Sequence, residues 1–562
     1  MTMVAPTLSP LRRETVSPLT LNEASTLSTT SLGVNPAPRK GSAFWLSFLA
    51  ILVSMFLSAL DLSAIPTALP TITDDLNGGD KFIWVGSAYG LASAAVLLLA
   101  GRLADIFGRK PVMLSSIALF TLGSVLAGIS NSMGMLIAAR VVQGMGGGSI
   151  ITMAEIIMAD LVPLAERGVY QGFIVLVWAL AAGVGPVIGA VLAQKASWRW
   201  LFYLNLPLTG IAFALVSIFL RVRSPPGSVR EKLARVDWYG NILMVAGSTL
   251  ALLGLTWGGV SYPWDSAHVA VPLVVGLFLI GLFVVYEVCI PVEPTFPLQV
   301  VANRTSASAY LATFVHGITS MSAIYYLPVY FQAVLGASPL RSSVQTLPTA
   351  LVIAPFALFC GITVKVINKY RAVNVVGWII SIIGFGLLSL LRADSPTSQW
   401  VGFQFLMAAG SGIVYASTIF AILAPLPVSR NAAALAFYTF SRTFAQTWGI
   451  AISGTILQNQ LKNRLPAAFT SQFPAGVDIS YQAIPLIASL EEPLRSEVRA
   501  AFALSMAVIW KVMAGLCGVG ILTLFLLKEV PMVKHTDETY GLKEMSTTNI
   551  VRDVEKAGRS EQ

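Results

Sequence analysis

A few ionisable side chains stand where water is scarce. Asp61 lies in the run Leu60-Asp61-Leu62-Ser63-Ala64-Ile65, while Arg140 and Gln143, three residues apart, lie in Leu136-Ile137-Ala138-Ala139-Arg140-Val141-Val142-Gln143-Gly144. A carboxylate at the centre of a bilayer costs about 2.5 to 3.5 kcal/mol on insertion scales, so Asp61 must face protein or a wet cavity. Burial favours its neutral form, and the chemistry to expect of it is proton carriage. A buried guanidinium needs an acid or several carbonyls, and a spacing of three puts Gln143 on the face of Arg140. Glu155 and Asp160 follow in the same stretch, then Glu166 and Arg167. Asp160 reaches a membrane surface by this count, and Glu155, further inward, either snorkels or serves a cavity.

The second constellation is the charged hinge Gly101-Arg102-Leu103-Ala104-Asp105-Ile106-Phe107-Gly108-Arg109-Lys110-Pro111, held between the apolar runs 82 to 100 and 112 to 130. Each run is close to the ~20 residues that span a bilayer as a helix, so the hinge is a tight surface loop. Gly108 permits the turn, and Asp105 stands four positions before Arg109, a pairing distance across one helical turn. Further along, Gly185-Pro186-Val187-Ile188-Gly189 sits inside an apolar run. The proline removes a backbone donor and the glycines flatten the surface, so a kink and close helix packing are expected. In the later part of the chain His316, Tyr326, Arg442 and Gln446 are polar groups within apolar runs, and with Glu155 they are candidates to line a substrate cavity.

The elements that must position these residues are membrane helices. Of 562 residues 55% are hydrophobic and only 11% charged, and the mean hydropathy is +0.75. Soluble domains carry about 25% charged residues, so the chain is a polytopic membrane protein. Its net charge of +9 belongs to loops and carries no nucleic-acid reading. Cys289, Cys360 and Cys517 all fall in apolar runs and read as packing residues. Candidate spans are 44–66, 82–100, 112–130, 134–158, 169–193 and 201–220, then 238–257 and 269–290, then 306–334, 345–364, 372–391, 400–424, 434–457 and 502–527. With both termini inside, the cytoplasmic connections hold fourteen Lys and Arg, the outer ones nine, four of which lie in the long loop 461–501. The positive-inside rule therefore favours fourteen spans with cytoplasmic ends, and leaves the glycosylation-like triplet at Asn303 on the cytoplasmic side and bare.

The hinge resembles the signature loop of the major facilitator superfamily, Gly-x-Leu-x-Asp-x-x-Gly-Arg-Lys, with every fixed position met. The segment around Asp61 is similar to the Leu-Asp-x-Thr element of drug:proton antiporters, with Ser63 for Thr. Arg140-Val-Val-Gln143-Gly resembles the family's Arg-x-x-Gln-Gly element, and Gly185-Pro186 with Gly189 its antiporter motif, with Ala181 and Ala190 in place of the outer glycines. Trp198 to Pro207 looks like the matching stretch of fourteen-span fungal antiporters, and reads as an outer aromatic belt. The resemblance implies an all-α fold of two six-helix bundles plus two inserted linker helices. It divides the chain into a disordered tail 1–43, bundles 44–220 and 306–528 flanking a linker region 221–305, and a tail 529–562. Within that frame Gly361 to Lys365, with Lys369 and Arg371, reads as a decayed copy of the hinge.

For site residues the resemblance implies proton coupling at Asp61, Arg140 and Gln143. It also implies a cytoplasmic latch of Gly101, Asp105, Gly108, Arg109, Lys110, Asp160 and Arg167. The expected activity is proton-driven export of a drug, toxin or secondary metabolite by alternating access, without a cofactor, by a monomer in the plasma or vacuolar membrane. Partners are the substrate, protons and the lipid bilayer, with no nucleic acid. Alternatives are a carrier for basic amino acids or iron chelates and, from another class, a polytopic membrane enzyme or a receptor. Three scattered histidines, His268, His316 and His535, do not supply an enzyme's interfacial cluster.

Overall fold

A computed structural model describes residues 41–76, 83–222, 225–226, 228–258, 262–290, 298–471 and 483–532. Residues 1–40 and 533–562 of the expected tails 1–43 and 529–562 lie outside the described residues, as does the middle of the loop expected at 461–501. The described residues from Ala43 onward form one compact unit.

The first half is α1 (Ser42–Asp75), α2 (Ile83–Phe107), α3 (Arg109–Gly128), α4 (Met133–Leu161), α5 (Leu164–Lys195) and the near-continuous pair α6 (Arg199–Tyr203) and α7 (Asn205–Phe219). A short α8 (Val229–Ala234) leads to the inserted pair α9 (Trp238–Trp257) and α10 (Ala267–Cys289). The second half follows a one-turn α11 (Gln299–Ala302) and holds α12 (Arg304–Ala333), α13 (Pro339–Ile367), α14 (Arg371–Leu388), α15 (Thr397–Leu423) and α16 (Asn431–Arg464). Two single turns, α17 (Ala467–Thr470) and α18 (Ile484–Ile487), precede the last long helix, α19 (Leu494–Thr523).

Twelve described helices are long and apolar enough to cross a membrane. α12 and α16, of 30 and 34 residues, carry too much polarity for that test yet pack against each other inside the second half. Each of the fourteen spans expected from hydropathy therefore coincides with a long helix or, at 201–220, with the near-continuous pair α6 and α7. The loop expected at 461–501 is shorter than that, because α16 runs on to Arg464 and α19 begins at Leu494. Polar residues lengthen a helix beyond the hydrocarbon without breaking it, and hydropathy does not register them.

Local chemistry sets the helix ends. Ser132 caps α4 by accepting from Met135 N, Asp237 caps α9 through Gly240 N, and Asn303 caps α12 through Thr305 N. The Asn303 side chain is thus used by the fold. Between α2 and α3 the hinge turns on Gly108, whose φ of 96° lies where a side chain is strained.

Within the first half α4 packs on α2 and α3, and α3 on α7. Hydrogen bonds tie α1 in, from Ser47 to the Phe219 carbonyl and from Ser63 to the Ala181 carbonyl. In the second half α15 is the most enclosed span, with 94% of its apolar window buried among α12, α13 and α14. The halves meet along α5 with α13 and α15, and along α16 with α2 and α4. The inserted pair packs against itself and, through α9, on both α2 and α16; α10 is only 17% buried and offers the rest of its apolar surface to lipid.

Candidate functional site

Asp61, Arg140 and Gln143 come together inside the first half. Arg140 donates Nη1 to Asp61 Oδ2 at 2.5 Å and to Gln143 Oε1 at 2.6 Å, and Nε to the Val85 carbonyl at 2.9 Å. Its guanidinium carbon lies 4.4 Å above the ring of Tyr89, whose hydroxyl is 2.9 Å from Ser58 Oγ. Asp61 Oδ1 accepts from Gln143 Nε2 and from Asn205 Nδ2, both at 2.9 Å. Ser124 Oγ receives the same two amides at 2.9 and 3.3 Å. Asp61 is 4% exposed and Arg140 1%, so this is a desolvated ion pair with nearly every donor matched, the condition under which a buried pair is tolerated. A cavity of about 10 Å³ beside Asp61, lined by Leu60, Ala64, Ile188, Leu201 and Asn205, is close to the volume of one water.

Sequence reasoning missed Asn205 and Ser124. Asn205 sits at the junction of α6 and α7, in the stretch taken for an aromatic belt. That belt is only partly a surface feature: Trp200 is 56% exposed, whereas Trp198 is buried and donates its indole to Asp75, and Tyr203 donates to the Gly128 carbonyl. Asp75 also pairs with Arg199 at 2.9 Å, and the Trp198 and Arg199 donors hold its carboxyl below the usual carboxylate value.

The glycine motif of α5 acts on this same region. A side chain at Gly185 would collide with Ser63, two residues after Asp61. Pro186 lies inside the helix, and Gly189 is buried one turn on. The motif thus brings α5 against the Asp61 segment of α1.

At the hinge, Arg109 is 2% exposed and bridges two acids, Nη1 to Asp105 at 2.9 Å and Nε to Asp160 at 2.7 Å. It also donates to the Ala104 carbonyl. All three residues belong to the first half, so this triad fixes α2, α3 and α4 to one another, and Asp105 also feels the charge of Arg430 in the second half. Two expected members are engaged elsewhere. Lys110 donates to the Ser217 carbonyl on α7, and Arg167 to the Ala159 and Val162 carbonyls at the end of α4.

An ion pair crosses the seam here. Lys365, read from the sequence as a relic of a repeated hinge, pairs with Glu166 at 3.2 Å. Gly168 of α5 and Gly361 of α13 meet backbone to backbone, and a Cβ at Gly101 would stand 2.5 Å from that of Ala436.

Of the cavity candidates, Glu155, Arg442 and His316 gather at the seam. Gln171 Nε2 donates to Glu155 Oε1 and to Tyr415 Oη, both at 2.8 Å, joining α4 and α5 to α15. The Arg442 guanidinium lies 4.3 Å over the Tyr415 ring. His316 Nε2 is 2.9 Å from Ser411 Oγ, and its ring centroid is 6.4 Å from that of Tyr415. Gln446 is half-buried one turn beyond Arg442. Tyr326 departs from the expectation: it is buried between α12 and α16, with its hydroxyl given to the Ile450 carbonyl. Gln171 and Tyr415 gave no signal in the sequence, because a lone amide or phenol in an apolar run is common in packing.

The family model of the Major Facilitator Superfamily matches residues 51–450. "Efflux pump FUS6" of Gibberella moniliformis is 40% identical over 525 residues, 92% of this chain and 93% of that protein. "MFS-type transporter ucsD" of an Acremonium species is 40% identical over 529 residues, 92% and 90% of the two chains. The "Acurin A biosynthesis cluster MFS-type transporter" of Aspergillus aculeatus is 37% identical over 518 residues, 91% and 93%. Among solved structures, the proton:xylose symporter XylE shares the fold with a TM-score of 0.56 at 13% identity, over 88% of this chain and 98% of that one. The chain belongs to the Major Facilitator Superfamily, a multi-pass membrane transporter and not an enzyme, related to fungal proteins named as efflux pumps and MFS-type transporters.

Proposed function

We propose that this chain exports a small organic compound, of the drug, toxin or secondary-metabolite kind, in exchange for protons. The observation that carries the reading is the Asp61–Arg140 pair, an acid and a base buried at membrane depth with a water-sized cavity beside the acid. Ionisable groups at that depth are costly and mark ion or proton pathways. The glycine contact of α5 against the same segment of α1 supports it, since it links the charge site to the helix whose motif resembles that of antiporters. The relatives named as efflux pumps supply the direction. The energy source is the proton gradient, with no cofactor. The protein acts as a monomer in the plasma membrane with both termini in the cytoplasm, and the two halves rock about the seam that holds Glu155 and Arg442.

The test is transport in reconstituted vesicles carrying a pH-sensitive dye, supplied with the compounds retained by a strain that lacks the gene. Compound moving in one direction and protons in the other, in proportion to the imposed gradient, is the expected result. Transport at the same rate with the gradient collapsed would refute proton coupling, and retention of no compound by the deletion strain would refute export.

A further inference from the structure

Two of the buried carboxylates, Asp61 and Glu155, are in opposite chemical situations. Asp61 accepts three side-chain hydrogen bonds, one of them from a guanidinium. Glu155, 3% exposed, has one oxygen on the Gln171 amide, while the other, Oε2, is buried with no hydrogen-bond partner. Among the described residues no cation stands within ion-pair distance of Glu155. Buried charge is stable only when matched, and a buried carboxylate oxygen with no donor is the position a proton fills. We infer that Glu155 is a proton-binding site of this transporter, separate from Asp61, which ties α1, α4 and α7 together through Arg140, Gln143 and Asn205.

The address suits the task. Glu155 lies on α4 where it meets α5 and α16, at the seam, and its amide partner Gln171 also reaches Tyr415 of the second half. The charged and titratable groups facing it are Arg167 on α5, Tyr415 on α15, and Arg442 and Tyr438 on α16. His316 of α12 lies beyond Tyr415, and on its own helix Asp160 is already engaged by Arg109 of α3. Arg167 keeps two buried N–H groups, Nε and Nη1, without partners. Loss of the Glu155 proton leaves an anion between Arg167 of the first half and Arg442 of the second, so a change of one charge acts where the halves meet. Proton transfer here is an O–H bond made or broken at Oε2, with water on either side as donor or acceptor.

The inference rests on the antiport reading for the use made of the proton, but not for its location. The test is the carbonyl stretch of protonated carboxyl groups, by infrared difference spectroscopy in H2O and D2O, on the full-length protein in lipid at neutral pH. A protonated-carboxyl band is expected in the wild type, lost in Glu155→Gln and shifted in Glu155→Asp, the latter serving where the amide variant does not fold. A wild type without such a band, or a band indifferent to both substitutions, overturns the assignment. The band is read without any transported compound, so a carrier that ignores the pH gradient would sink the antiport reading and leave this one standing.

Discussion

Replacing Asp61 by Asn tests the charge site most directly. The amide keeps the size of the carboxylate but cannot repeat its contacts. Gln143, Asn205 and Arg140 all point donors at Asp61, and an Asn side chain offers one oxygen and an NH2 group that itself only donates. Arg140 then keeps only the Val85 carbonyl, Gln143 Oε1 and the Tyr89 face, with no counter-charge. Removing one partner of a buried ion pair costs about 3 to 5 kcal/mol. A neutral hydrogen bond between helices in a bilayer averages about 0.6 kcal/mol. Ser63→Ala, which removes the bond from α1 to the Ala181 carbonyl, should therefore cost several-fold less than Asp61→Asn. Unfolding in SDS followed by circular dichroism gives both numbers. The double variant Asp61→Asn/Arg140→Gln, which removes both charges, should cost less than the sum of the singles by about 1 to 3 kcal/mol. The reasoning is refuted if the double is additive, or if Asp61→Asn costs no more than Ser63→Ala.

Arg109→Lys should fail to replace Arg109 even though it keeps the charge, because a single ammonium cannot take the place of a planar fork between Asp105 and Asp160; surface yield and thermal stability should both fall, whereas Lys110→Ala should lose only the Ser217 contact. Gly185→Leu should abolish export in the vesicle assay while the protein still reaches the membrane, since the new side chain meets Ser63 at the α1–α5 contact; normal export would separate the motif from transport. Gly361→Leu should wedge the seam against Gly168 and raise labelling of a cysteine placed on α5 near that end, and unchanged labelling would mean the halves do not close there. At the C-terminal end of α1, the contact of Asp75 with Trp198 and Arg199 stabilises the fold above the ordinary aspartate value of 3.8 and is lost only as pH falls through the lower folded value. Thermal stability should therefore drop more steeply between pH 5 and pH 3 in the wild type than in Asp75→Asn, and parallel curves would remove the effect.

The fold was legible because hydropathy marks membrane-spanning helices outright, and the charge sites because an ion in hydrocarbon is conspicuous. Asp61, Arg140 and Gln143 could be named together before any contact was known, as could Asp105, Arg109 and Asp160. Neutral partners were not legible. Asn205, Ser124, Gln171 and Tyr415 differ from packing residues only in what they touch, and that depends on helix rotation. Lys365 shows a limit of motif reading in the other direction: taken as the remnant of a repeat, it is the ion-pair partner of Glu166 across the seam. Arg167 and Lys110 show a further limit, since a basic residue near an acid in sequence goes to whichever carbonyl its helix end leaves open.

The inserted helices touch one helix from each half, α2 and α16, chiefly through Leu252 and Leu255 packed on Ala94, Ala451, Phe444 and Trp448. The contacts of this joint are mainly apolar, joined by Trp84 edge-on to Trp257 and a hydrogen bond from Trp264 to Thr455. Apolar surfaces can slide over one another without breaking a register, so in the proposed rocking cycle the pair would act as a greased bearing between the halves. A polar residue planted at Leu252 or Ala451 would act as a brake there, slowing the cycle while leaving the charge sites and the seam intact.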